Sequence, residues 1–555
     1  MPKFPMNAKT LNHILLDNER QKGPNVYLRQ PRQGQWHEFT WQKVVHQARQ
    51  VARLLLDVGL KKGDHVAIFS KNCAEWFIAD FGISLAGMVN VPLFPNQHEE
   101  SIKFVLEHAE IKLVFVGKLD EHRRVRGYIP SHLVTVNFNY HKNLDTTYSW
   151  GDILDKRPVE DVVDSSPEDL YTIIYSSGTS GQPKGAVYTH GIIANYLSLF
   201  PKDIRRMRNL NHYHLLSYLP LAHVYERSAI QLGSLMLPCD VSFVESLEKF
   251  ADNLKQVQPT FFTAVPRIWG VFQQRIEQKL PPHRLNLLLG IPIVSTLIKR
   301  KIRKQLGLAH CKNCFSGASH LPEPIYYFFD RLGIKIQEGY GQTEDLAYAT
   351  FSLLKHRRPG YVGSPRLGVE IKLGYENELL IKSPCLMQGY YKDKQATAAA
   401  LTEDGWLHTG DIAELDEHNN VRIVGRISEN FKNQKGEFIV PAPIEERFAS
   451  NSLIDQLCIV GRELPNNVLI VSLSEAGRQQ NKENIKQGLQ ENLRRVNSEL
   501  ENYEKISHVI VTKDKWTTEN GLLTPTMKVK RRLIESYYRD FIKGAIKQPQ
   551  TIIWE

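Results

Sequence analysis

Four short apolar runs, each breaking into a polar or glycine-bearing loop, restrict the fold of this chain more than any other feature. They are YTIIYSS near residue 171, HLLSYLP near 214, TFFTAVP near 260 and IKIQEGYG near 334, and helical patterns lie between them. This alternation predicts an α/β domain with a largely parallel sheet, in which ligand-binding loops follow the strand ends.

The pattern changes after about residue 361, where strand and turn signals dominate. GVEIKLGYENELLIKS and GWLHTGDIAELDEHNNVRIVGR are of this kind, and a smaller α+β segment closes the chain. A length of 555 residues suggests roughly two to four domains. No internal repeat is present, which disfavours solenoids and propellers. We place the hinge between domains just after VGR, at residues 426–430.

Composition excludes several classes of protein. Hydrophobic residues make up 42% of the chain, too many for a disordered protein, and six cysteines suit a reducing compartment better than a disulfide scaffold. Cys311 and Cys314 form a C-x-x-C pair that no second pair completes into a zinc site. No stretch is long and apolar enough for a membrane span, and no secretory signal pattern is visible. We expect a soluble, intracellular, multi-domain protein.

The net charge of +10 would suit a polyanionic ligand or an anionic membrane surface. Nucleic acid would require a basic stripe interleaved with aromatic residues, or a known reading motif, and the sequence contains neither. We therefore expect no nucleic-acid partner.

The segment Tyr175–Gly185 has the composition of a phosphate-binding loop. It follows a strand signal and combines hydroxyl groups, glycines and one lysine: Ser176, Ser177, Gly178, Thr179, Ser180, Gly181, Lys184 and Gly185. Glycines let backbone N–H groups approach an anion closely, and the lysine adds a positive charge. It is not a Walker A loop, because Pro183 precedes the lysine and no serine or threonine follows it. Taken alone, the segment has an alternative interpretation as a flexible surface loop.

Five further segments follow this loop in order. They are SGASHLPEP (316–324), QEGYGQTE (337–344), DGWLHTGD (404–411), VGRISENFKNQKGEFIVPAPIE (424–445) and NGLLTPTMKVKRR (520–532). Together with the loop they resemble the adenylate-forming superfamily of acyl-CoA synthetases, luciferases and peptide-synthetase adenylation domains. LPLAHVYER (219–227), PTFFTAVPRIW (259–269) and the length of the loop from Arg426 to Gly436 resemble its long-chain fatty acyl-CoA synthetases. The resemblance covers nearly the whole chain.

The resemblance implies an α/β fold and a two-step reaction. The expected fold is a large N-terminal domain, residues 1–425, with β-sheets, flanking helices and a distorted β-barrel, followed by the hinge and a small mobile α+β domain, residues 431–555. The expected activity is that of an ATP-dependent long-chain fatty acid–CoA ligase. A carboxylate attacks the α-phosphorus of ATP and releases pyrophosphate, and a thiol then displaces AMP to form the thioester. ATP, Mg²⁺ and coenzyme A are the implied cofactor and co-substrates.

The resemblance also implies the nucleotide-binding residues. The glycine-rich loop is expected to hold the β- and γ-phosphates through Ser177, Gly178, Thr179, Ser180, Gly181 and Lys184. Tyr340 is expected to stack on adenine, with Gly341 in the same nucleotide-binding segment. Gly317 and Ala318 are expected to pass close to the other side of the ring.

Asp411 is expected to accept hydrogen bonds from both ribose hydroxyls, and Arg426 to assist at the ribose. Each of these charged residues has an alternative, purely structural role, such as a place in a turn.

Five residues are assigned to the chemistry by the same resemblance. Thr343 is expected to hydrogen-bond the α-phosphate, and Glu344 to ligate Mg²⁺, because a hard cation prefers carboxylate oxygen. Lys528 is expected to contact the carboxylate and α-phosphate oxygens as charge develops. His223 is expected at the entrance to the acyl pocket. The alternative is a structural histidine in the core, with its ring nitrogens hydrogen-bonded within the protein. Lys432 matches a lysine that family members use in the thioester step.

Ser428 departs from the family pattern, because family members usually carry aspartate or lysine at this hinge position. A hinge needs only to absorb backbone rotation, so serine is chemically admissible. The departure bears on domain alternation and on the efficiency of the thioester step, and it leaves adenylation untouched.

The stretch HRLNLLLGIPIVSTLIKRKIRK, residues 283–304, has the composition of a peripheral membrane contact. A mostly apolar run is followed by a segment, 299–304, in which five of six residues are basic. The alternative is a helical excursion packed on the large domain with a solvated basic end. The expected location is cytoplasmic, with or without contact at the inner face of a membrane. Fatty acid and CoA are the expected partners, and the oligomeric state, a homodimer included, stays open.

Two other functions remain open from the sequence. One is a ligase that stops at the acyl-adenylate or passes the acyl group to a carrier-protein thiol. The other, of a different class, is a non-catalytic scaffold that binds nucleotide or fatty acid. The intact charged residues at 344, 411, 426 and 528 argue against the scaffold. Aryl and terpenoid acids are alternative substrates, and the sequence does not give the acyl chain length.

Overall fold

A computed structural model of the protein describes residues 9–120, 127–141, 144–176, 182–207, 210–449 and 451–555. The α-helices in this part of the chain are Leu11–Lys22, Trp41–Asp57, Ala74–Leu85, Glu99–His108, Trp150–Leu154, His190–Arg206, Val224–Glu226, Gly233–Met236, Phe250–Val257, Pro266–Lys279, Pro282–Gly290, Pro292–Gln305, Glu323–Arg331, Lys394–Ala400, Pro441–Ala449, Glu475–Arg478, Lys482–Ser498, Arg531–Tyr537 and Arg539–Ala545. A π-helix spans Arg227–Leu232, and 3₁₀ turns span Thr343–Asp345, Tyr375–Asn377 and Ile427–Glu429.

The strands alternate with these helices along the first two-thirds of the chain. They are β1 Val26–Arg32, β2 Gln35–Thr40, β3 His65–Phe69, β4 Val89–Leu93, β5 Leu113–Val116, β6 Val134–Asn137, β7 Tyr148–Ser149, β8 Leu170–Ser176, β9 Lys184–Thr189, β10 Tyr213–Ser217, β11 Cys239–Phe243, β12 Phe261–Ala264, β13 Asn313–Ser316, β14 Ile336–Tyr340 and β15 Thr350–Phe351. The four apolar runs singled out in the sequence are β8, β10, β12 and β14, so their prediction as strands is confirmed.

The later strands include several antiparallel hairpins. They are β16 Tyr361–Pro365, β17 Glu370–Leu373, β18 Glu378–Lys382, β19 Gly389–Tyr390, β20 Leu407–Leu415, β21 Val421–Arg426, β22 Phe431–Lys432, β23 Phe438–Ile439, β24 Ile454–Val460, β25 Asn467–Leu473, β26 Ile506–Val511 and β27 Ile552–Trp554. This series confirms the predicted change from helix–strand alternation to strands and turns after residue 361.

Two large mixed sheets organise the N-terminal domain. Among the described residues, eight strands follow the order β19-β9-β8-β4-β3-β5-β6-β7, and thirteen follow the order β17-β18-β20-β21-β16-β15-β14-β13-β12-β10-β11-β1-β2. The neighbours from β11 through β10, β12 and β13 to β14 are parallel, whereas β14 to β21 pair antiparallel. The largely parallel core of this sheet therefore carries its loops at one edge, as the sequence predicted.

Helix Ala74–Leu85 shows why the core of this domain is closely packed. All of its residues are buried, and it leads directly into the buried strand β4. It lies against helix Trp41–Asp57, which begins where the Thr40 side chain accepts the Lys43 N–H at 3.2 Å. A side chain at Gly82 would come within 2.5 Å of the Val51 side chain, so glycine is required for this approach of the two helices.

The C-terminal domain is built on a separate four-stranded sheet in the order β24-β25-β26-β27. Strands β24 and β25 are antiparallel, β25 to β27 are parallel, and apolar clusters cover both faces. Two ion pairs join it to the N-terminal domain: His320 Nε2 lies 2.6 Å from Glu446 Oε1, and Arg267 Nη2 lies 3.1 Å from Asp455 Oδ1. The predicted α/β fold, with a large N-terminal and a smaller C-terminal domain, is confirmed. In the described residues, no helix is both long enough and apolar enough to cross a membrane.

Candidate active site

The predicted site residues lie where the central parallel strands end and where β20 meets β21. Strands β10, β13 and β14 end at Ser217, Ser316 and Tyr340, and all three point their carboxyl ends to the same edge of the sheet. The loops that follow contain the motifs singled out in the sequence. The fold therefore brings together segments that are more than a hundred residues apart in the chain.

Asp411 is the centre of a hydrogen-bonded group at this edge. The antiparallel register of β20 and β21 places it opposite Arg426, whose Nε lies 2.8 Å from Asp411 Oδ1. Its other oxygen, Oδ2, accepts hydrogen bonds from the Tyr340 hydroxyl and from Gln342 Nε2, each at 2.6 Å. The carboxylate is only 3% exposed, so these donors fix its orientation and compensate its burial.

The charges of this group shift the proton affinities of its members. The carboxylate of Asp411 raises the pKa of Arg426, which keeps the guanidinium charged. Burial, and then the same carboxylate, hold the pKa of Tyr340 well above its usual value. Tyr340 therefore stays protonated and donates its hydrogen bond at any physiological pH.

The turn Thr343–Asp345 is held by buried polar groups on both sides. The Tyr188 hydroxyl donates to the Thr343 carbonyl and accepts from the Leu346 N–H at 3.0 Å. Asp345 Oδ1 accepts the backbone N–H groups of Gln342 and Tyr348, at 2.9 and 3.1 Å. Burial raises the pKa of Asp345 to about 7. This turn is thus a fixed support that presents Thr343 and its neighbour at the end of β14.

Gly341 begins this turn, and the space around it is restricted. A side chain there would meet the Ala347 backbone at 2.6 Å, and Ala347 itself adopts a positive φ of 52°. A larger residue at 341 would therefore displace the turn that carries Thr343.

Glu344 connects the turn to the glycine-rich loop. Its Oε1 accepts the Tyr390 hydroxyl at 2.7 Å, and Oε2 accepts no hydrogen bond from the described residues. Lys184 Nζ lies 5.1 Å from the centre of the Tyr390 ring. The remaining predicted phosphate-binding residues of that loop, Ser177, Gly178, Thr179, Ser180 and Gly181, lie outside the described residues.

The donor set at Glu344 fits a magnesium ion. Mg²⁺ is commonly bound by one or two carboxylates together with substrate phosphates and water. Glu344 supplies one carboxylate with an oxygen left for a cation, and its partner Tyr390 also lies next to Lys184.

Lys528 comes from the C-terminal domain and faces the Asp411 group. Its backbone N–H donates to Thr524 Oγ1 at 3.0 Å, which closes the turn that carries it. Surrounding protein atoms, and then the charge of Arg426, lower the pKa of its ammonium group, while Asp411 and Glu344 oppose this shift. The side chain still contacts solvent, which limits the effect. The two domains are therefore arranged so that a lysine faces the residues predicted to bind nucleotide.

His223 lies at the mouth of the loop after β10. Its Nδ1 accepts the Tyr225 N–H at 3.2 Å, so the neutral ring carries its proton on Nε2. Burial, and then the positive charge of Lys528, lower the pKa of His223 to about 4. The imidazole is therefore neutral near pH 7. The ring is partly exposed, and its centroid lies 6.4 Å from that of Phe94.

Glu226 fixes the loop that carries His223. Its Oε1 accepts the Ser217 hydroxyl at 2.8 Å and the Tyr218 N–H at 3.0 Å. Burial raises the pKa of this fully buried carboxyl to about 8. The loop is thus tied to the end of β10.

Gly317 and Ala318 follow β13 directly. Ala318 adopts a φ of 68°, which is uncommon for a residue with a side chain. A Cβ at Gly317 would reach no protein atom closer than 3.6 Å, so the protein itself does not require glycine there. The neighbouring Ser316 hydroxyl is buried and has no hydrogen-bond partner among the described residues.

Lys432 and Ser428 lie apart from this cluster. Lys432 is exposed in β22, and its side chain forms no ion pair or hydrogen bond within the described part of the chain. Ser428 lies in the 3₁₀ turn between β21 and β22. Among the described residues, the structure therefore joins Tyr340, Asp411 and Arg426 by direct contacts, and Lys432 makes no contact with them.

Gln342 and Tyr390 are functional candidates that the sequence interpretation missed. Gln342 bonds Asp411 from across the site, and Tyr390 bonds Glu344. Gln342 lies inside the motif QEGYGQTE, so its position was visible. Tyr390 lies in a separate short strand, and no local pattern marks it.

Comparisons with known proteins identify the family of the chain. The family model described as AMP-binding enzyme matches residues 17–391, and the model described as AMP-binding enzyme C-terminal domain matches residues 432–550. The chain is 29% identical to long-chain-fatty-acid–CoA ligase 1 of Homo sapiens, with 94% of this chain and 84% of that protein covered. It is 26% identical to long-chain-fatty-acid–CoA ligase FadD15 of Mycobacterium bovis, with 96% of each chain covered.

A solved structure shows the same fold. The adenylation domain of a carboxylate reductase from Mycobacterium chelonae superposes with a TM-score of 0.83 at 22% identity, covering 98% of this chain and 92% of that one.

Proposed function

The chain belongs to the family of AMP-binding enzymes, and from this we propose that it is an ATP-dependent long-chain fatty acid–CoA ligase. The observation that carries the proposal is the buried Asp411 carboxylate, which binds Arg426 at 2.8 Å and the Tyr340 hydroxyl at 2.6 Å. Lys528 of the C-terminal domain lies within range of the charges of Arg426 and Asp411, which shift its pKa in opposite directions. We take the two substrates, a long-chain fatty acid and CoA, from the names of its relatives.

In the first step, a carboxylate oxygen of the fatty acid attacks the α-phosphorus of ATP. A P–O bond forms, the bond to the leaving pyrophosphate breaks, and the acyl-adenylate results. We assign Asp411 and Arg426 to the ribose, Tyr340 to adenine and Lys184 to the outer phosphates. Lys528 stabilises the negative charge that develops on the oxygens at the α-phosphorus.

Thr343 and Glu344 act on the same phosphates. Thr343 donates its hydroxyl to the α-phosphate, from a turn that Tyr188 and Asp345 hold in place. Glu344 would hold Mg²⁺, which would supply positive charge beside the phosphates. Tyr390 orients the Glu344 carboxylate through the hydrogen bond to Oε1.

In the second step, the thiol of CoA attacks the acyl carbon and AMP leaves. We propose that residues 1–425 and 431–555 form the two domains, and that rotation at residues 426–430 replaces Lys528 by Lys432 at the site. The exposed position of Lys432 in the present arrangement fits this order of events. Ser428 lies in the turn that would absorb the rotation.

In this proposal the neutral His223 side chain lines the site beside the carboxylate of the fatty acid. A protonated imidazole next to Lys528 would add a second positive charge, and the low pKa of His223 prevents this at neutral pH. We assign His223 to positioning of the acyl carboxylate, not to proton transfer.

A chain-length series tests the proposal. The full chain is incubated with ATP, Mg²⁺, CoA and either fatty acids of increasing length or aryl acids, and pyrophosphate and acyl-CoA are measured in parallel. We expect equal amounts of both, with a maximum at long chains. A maximum with aryl acids would refute the fatty-acid assignment. Release of pyrophosphate without formation of acyl-CoA would favour the alternative function, a ligase that stops at the acyl-adenylate or passes the acyl group to a carrier protein.

The hairpin of helices Pro282–Gly290 and Pro292–Gln305 supports peripheral contact with an anionic membrane. Its apolar side chains Leu287, Ile293 and Leu297 are 70%, 78% and 62% exposed, so the hairpin is not simply packed on the domain. The basic residues of 299–304 follow on the second helix. An apolar tip beside a basic flank matches the surface of an anionic bilayer, in which long-chain acids also partition.

Vesicle sedimentation tests this contact. Arg300→Glu with Lys301→Glu should weaken binding to vesicles that contain an anionic phospholipid, and Ile293→Ser should weaken it further. A control pair, Lys543→Glu with Lys547→Glu, changes the net charge equally on the C-terminal domain and should leave binding unchanged. Equal losses in both pairs would show a net-charge effect and refute the assigned surface.

A further inference from the structure

A second cluster of chemically active side chains lies at the end of the thirteen-stranded sheet opposite to the candidate active site. It consists of His212, His214 and Asp240, at the amino ends of β10 and β11. The loop with His223 begins at the other end of β10. Within the described residues, this is the one group of three or more His, Cys, Asp or Glu side chains whose ligand atoms converge as for a metal ion.

Strand register explains why the three side chains meet. Strands β10 and β11 are parallel, and His214 lies directly beside Asp240. His212 precedes His214 by two residues, and side chains with that spacing share one face of a strand. Strand pairing therefore juxtaposes His214 and Asp240, and His212 joins them from the residue just before β10.

The ligand atoms are close together. Asp240 Oδ1 lies 2.8 Å from His212 Nε2 and 2.7 Å from His214 Nδ1. Asp240 is only 4% exposed, and its Oδ2 accepts no hydrogen bond from the described residues. Both imidazoles are partly exposed and line a cleft of about 870 Å³.

We propose that His212, His214 and Asp240 bind a divalent transition-metal ion of the zinc class. Two imidazole nitrogens and one carboxylate oxygen form a ligand set for such ions, with water from the cleft in the fourth position. Ligand atoms about 2 Å from a tetrahedral zinc ion lie about 3.3 Å apart, so small side-chain rotations admit the ion. Calcium and magnesium are disfavoured, because these hard cations prefer oxygen ligands.

Arg29 and Glu38 complete the surroundings. Arg29 Nε lies 3.8 Å from Asp240 Oδ2 and 3.3 Å from Glu38 Oε1. Arg29 therefore attracts this carboxylate oxygen by charge at 3.8 Å, without a hydrogen bond between them. Glu38 balances the positive charge of Arg29, so that the negative charge of Asp240 is available to a cation.

A bound ion would join β10 to β11 at the edge remote from the reacting groups. The ion binds the folded chain and should therefore raise its apparent melting temperature as its concentration rises. It needs no role in the reaction, and the inference does not rest on the proposed function.

Metal titration of the full chain, freed of any histidine tag and dialysed against a chelator, tests the inference. Zn²⁺ is followed by competition with a metal-sensitive dye, and Co²⁺ by its visible absorption. We expect one ion per chain, and at least a 100-fold loss of affinity in His212→Asn with His214→Asn. His310→Asn, which changes another histidine of the same cleft, should bind as the original chain does.

Two outcomes would overturn the inference. One is a chain that binds no zinc, in which case the histidines serve only to hold Asp240 by hydrogen bonds. The other is equal zinc affinity in the original chain and in the doubly substituted chain, which would place the ion elsewhere. Circular dichroism of each variant separates loss of the site from loss of the fold.

Discussion

Asparagine in place of Asp411 should weaken the use of ATP selectively. The carboxylate joins three groups: Arg426 at 2.8 Å and the side chains of Tyr340 and Gln342 at 2.6 Å. The asparagine side chain has nearly the same shape as the aspartate, but it carries no charge. Its NH₂ group would replace one of the two acceptor oxygens and would face either Arg426 or the pair Tyr340 and Gln342. Loss of one hydrogen bond to a charged group costs about 1.5–3 kcal/mol. We therefore expect kcat/KM for ATP to fall by about 10- to 100-fold.

The ribose contact gives this prediction a sharper readout. If Asp411 accepts hydrogen bonds from the ribose hydroxyls, the original enzyme should prefer ATP over 2′-deoxy-ATP by about 10- to 100-fold in kcat/KM. The Asp411→Asn enzyme should lose most of this preference. Coupled measurement of pyrophosphate at a saturating fatty acid concentration supplies both ratios.

Asp203 offers a matched control. It is also buried, and it binds an arginine and a tyrosine, Arg366 at 2.9 Å and Tyr348 at 2.6 Å, but it has no assigned contact with nucleotide. Asp203→Asn should reduce thermal stability and keep the preference for ATP over 2′-deoxy-ATP. If Asp411→Asn also kept that preference, the carboxylate would be structural only, and the ribose assignment would be refuted.

Three further predictions concern the reaction and its pH dependence. Lys528→Ala should slow pyrophosphate release by roughly 100- to 1,000-fold, while supplied acyl-adenylate still reacts with CoA; equal loss of both steps would contradict its assignment. Glu344→Gln should raise the Mg²⁺ concentration needed for half-maximal rate, and an unchanged requirement would place the ion elsewhere. Burial raises the pKa of Glu226 from 4.5 to about 8, so the folded chain holds a proton that the unfolded chain loses. Stability should therefore fall between those pH values by about 1.4 kcal/mol per unit, and Glu226→Gln should flatten the decline of the melting temperature.

The sequence predicts the sheet core because local patterns determine it. Strands β8, β10, β12 and β14 are short apolar runs between helices, and their polar ends mark the reacting edge. Asp411 and Arg426 were also predictable as a pair, because both lie in one hairpin whose strands are adjacent in the chain.

Contacts that depend on tertiary register were not predictable in the same way. The hydrogen bond from Tyr390 to Glu344 spans 46 residues, and no local pattern marks the tyrosine. The convergence of His212 and His214 on Asp240 depends on the pairing of two strands across a helical connection.

The apolar hairpin and the domain arrangement show the limits of pattern alone. Residues 283–304 consist of a mostly apolar run followed by a basic segment, yet periodicity does not reveal whether Ile293 faces the core or solvent; the structure places it in solvent. Lys528 reaches the Asp411 group only because the C-terminal domain is docked in this orientation, which the sequence does not specify.

Transfer of oxygen from the acid to AMP is the most direct test of the central claim. A long-chain fatty acid labelled with ¹⁸O in both carboxylate oxygens is converted with ATP, Mg²⁺ and CoA, and the AMP is examined by mass spectrometry. Attack of the carboxylate on the α-phosphorus predicts one ¹⁸O atom in each AMP, formed in equal amount to acyl-CoA. Unlabelled AMP, or ADP and phosphate as products, would contradict the account.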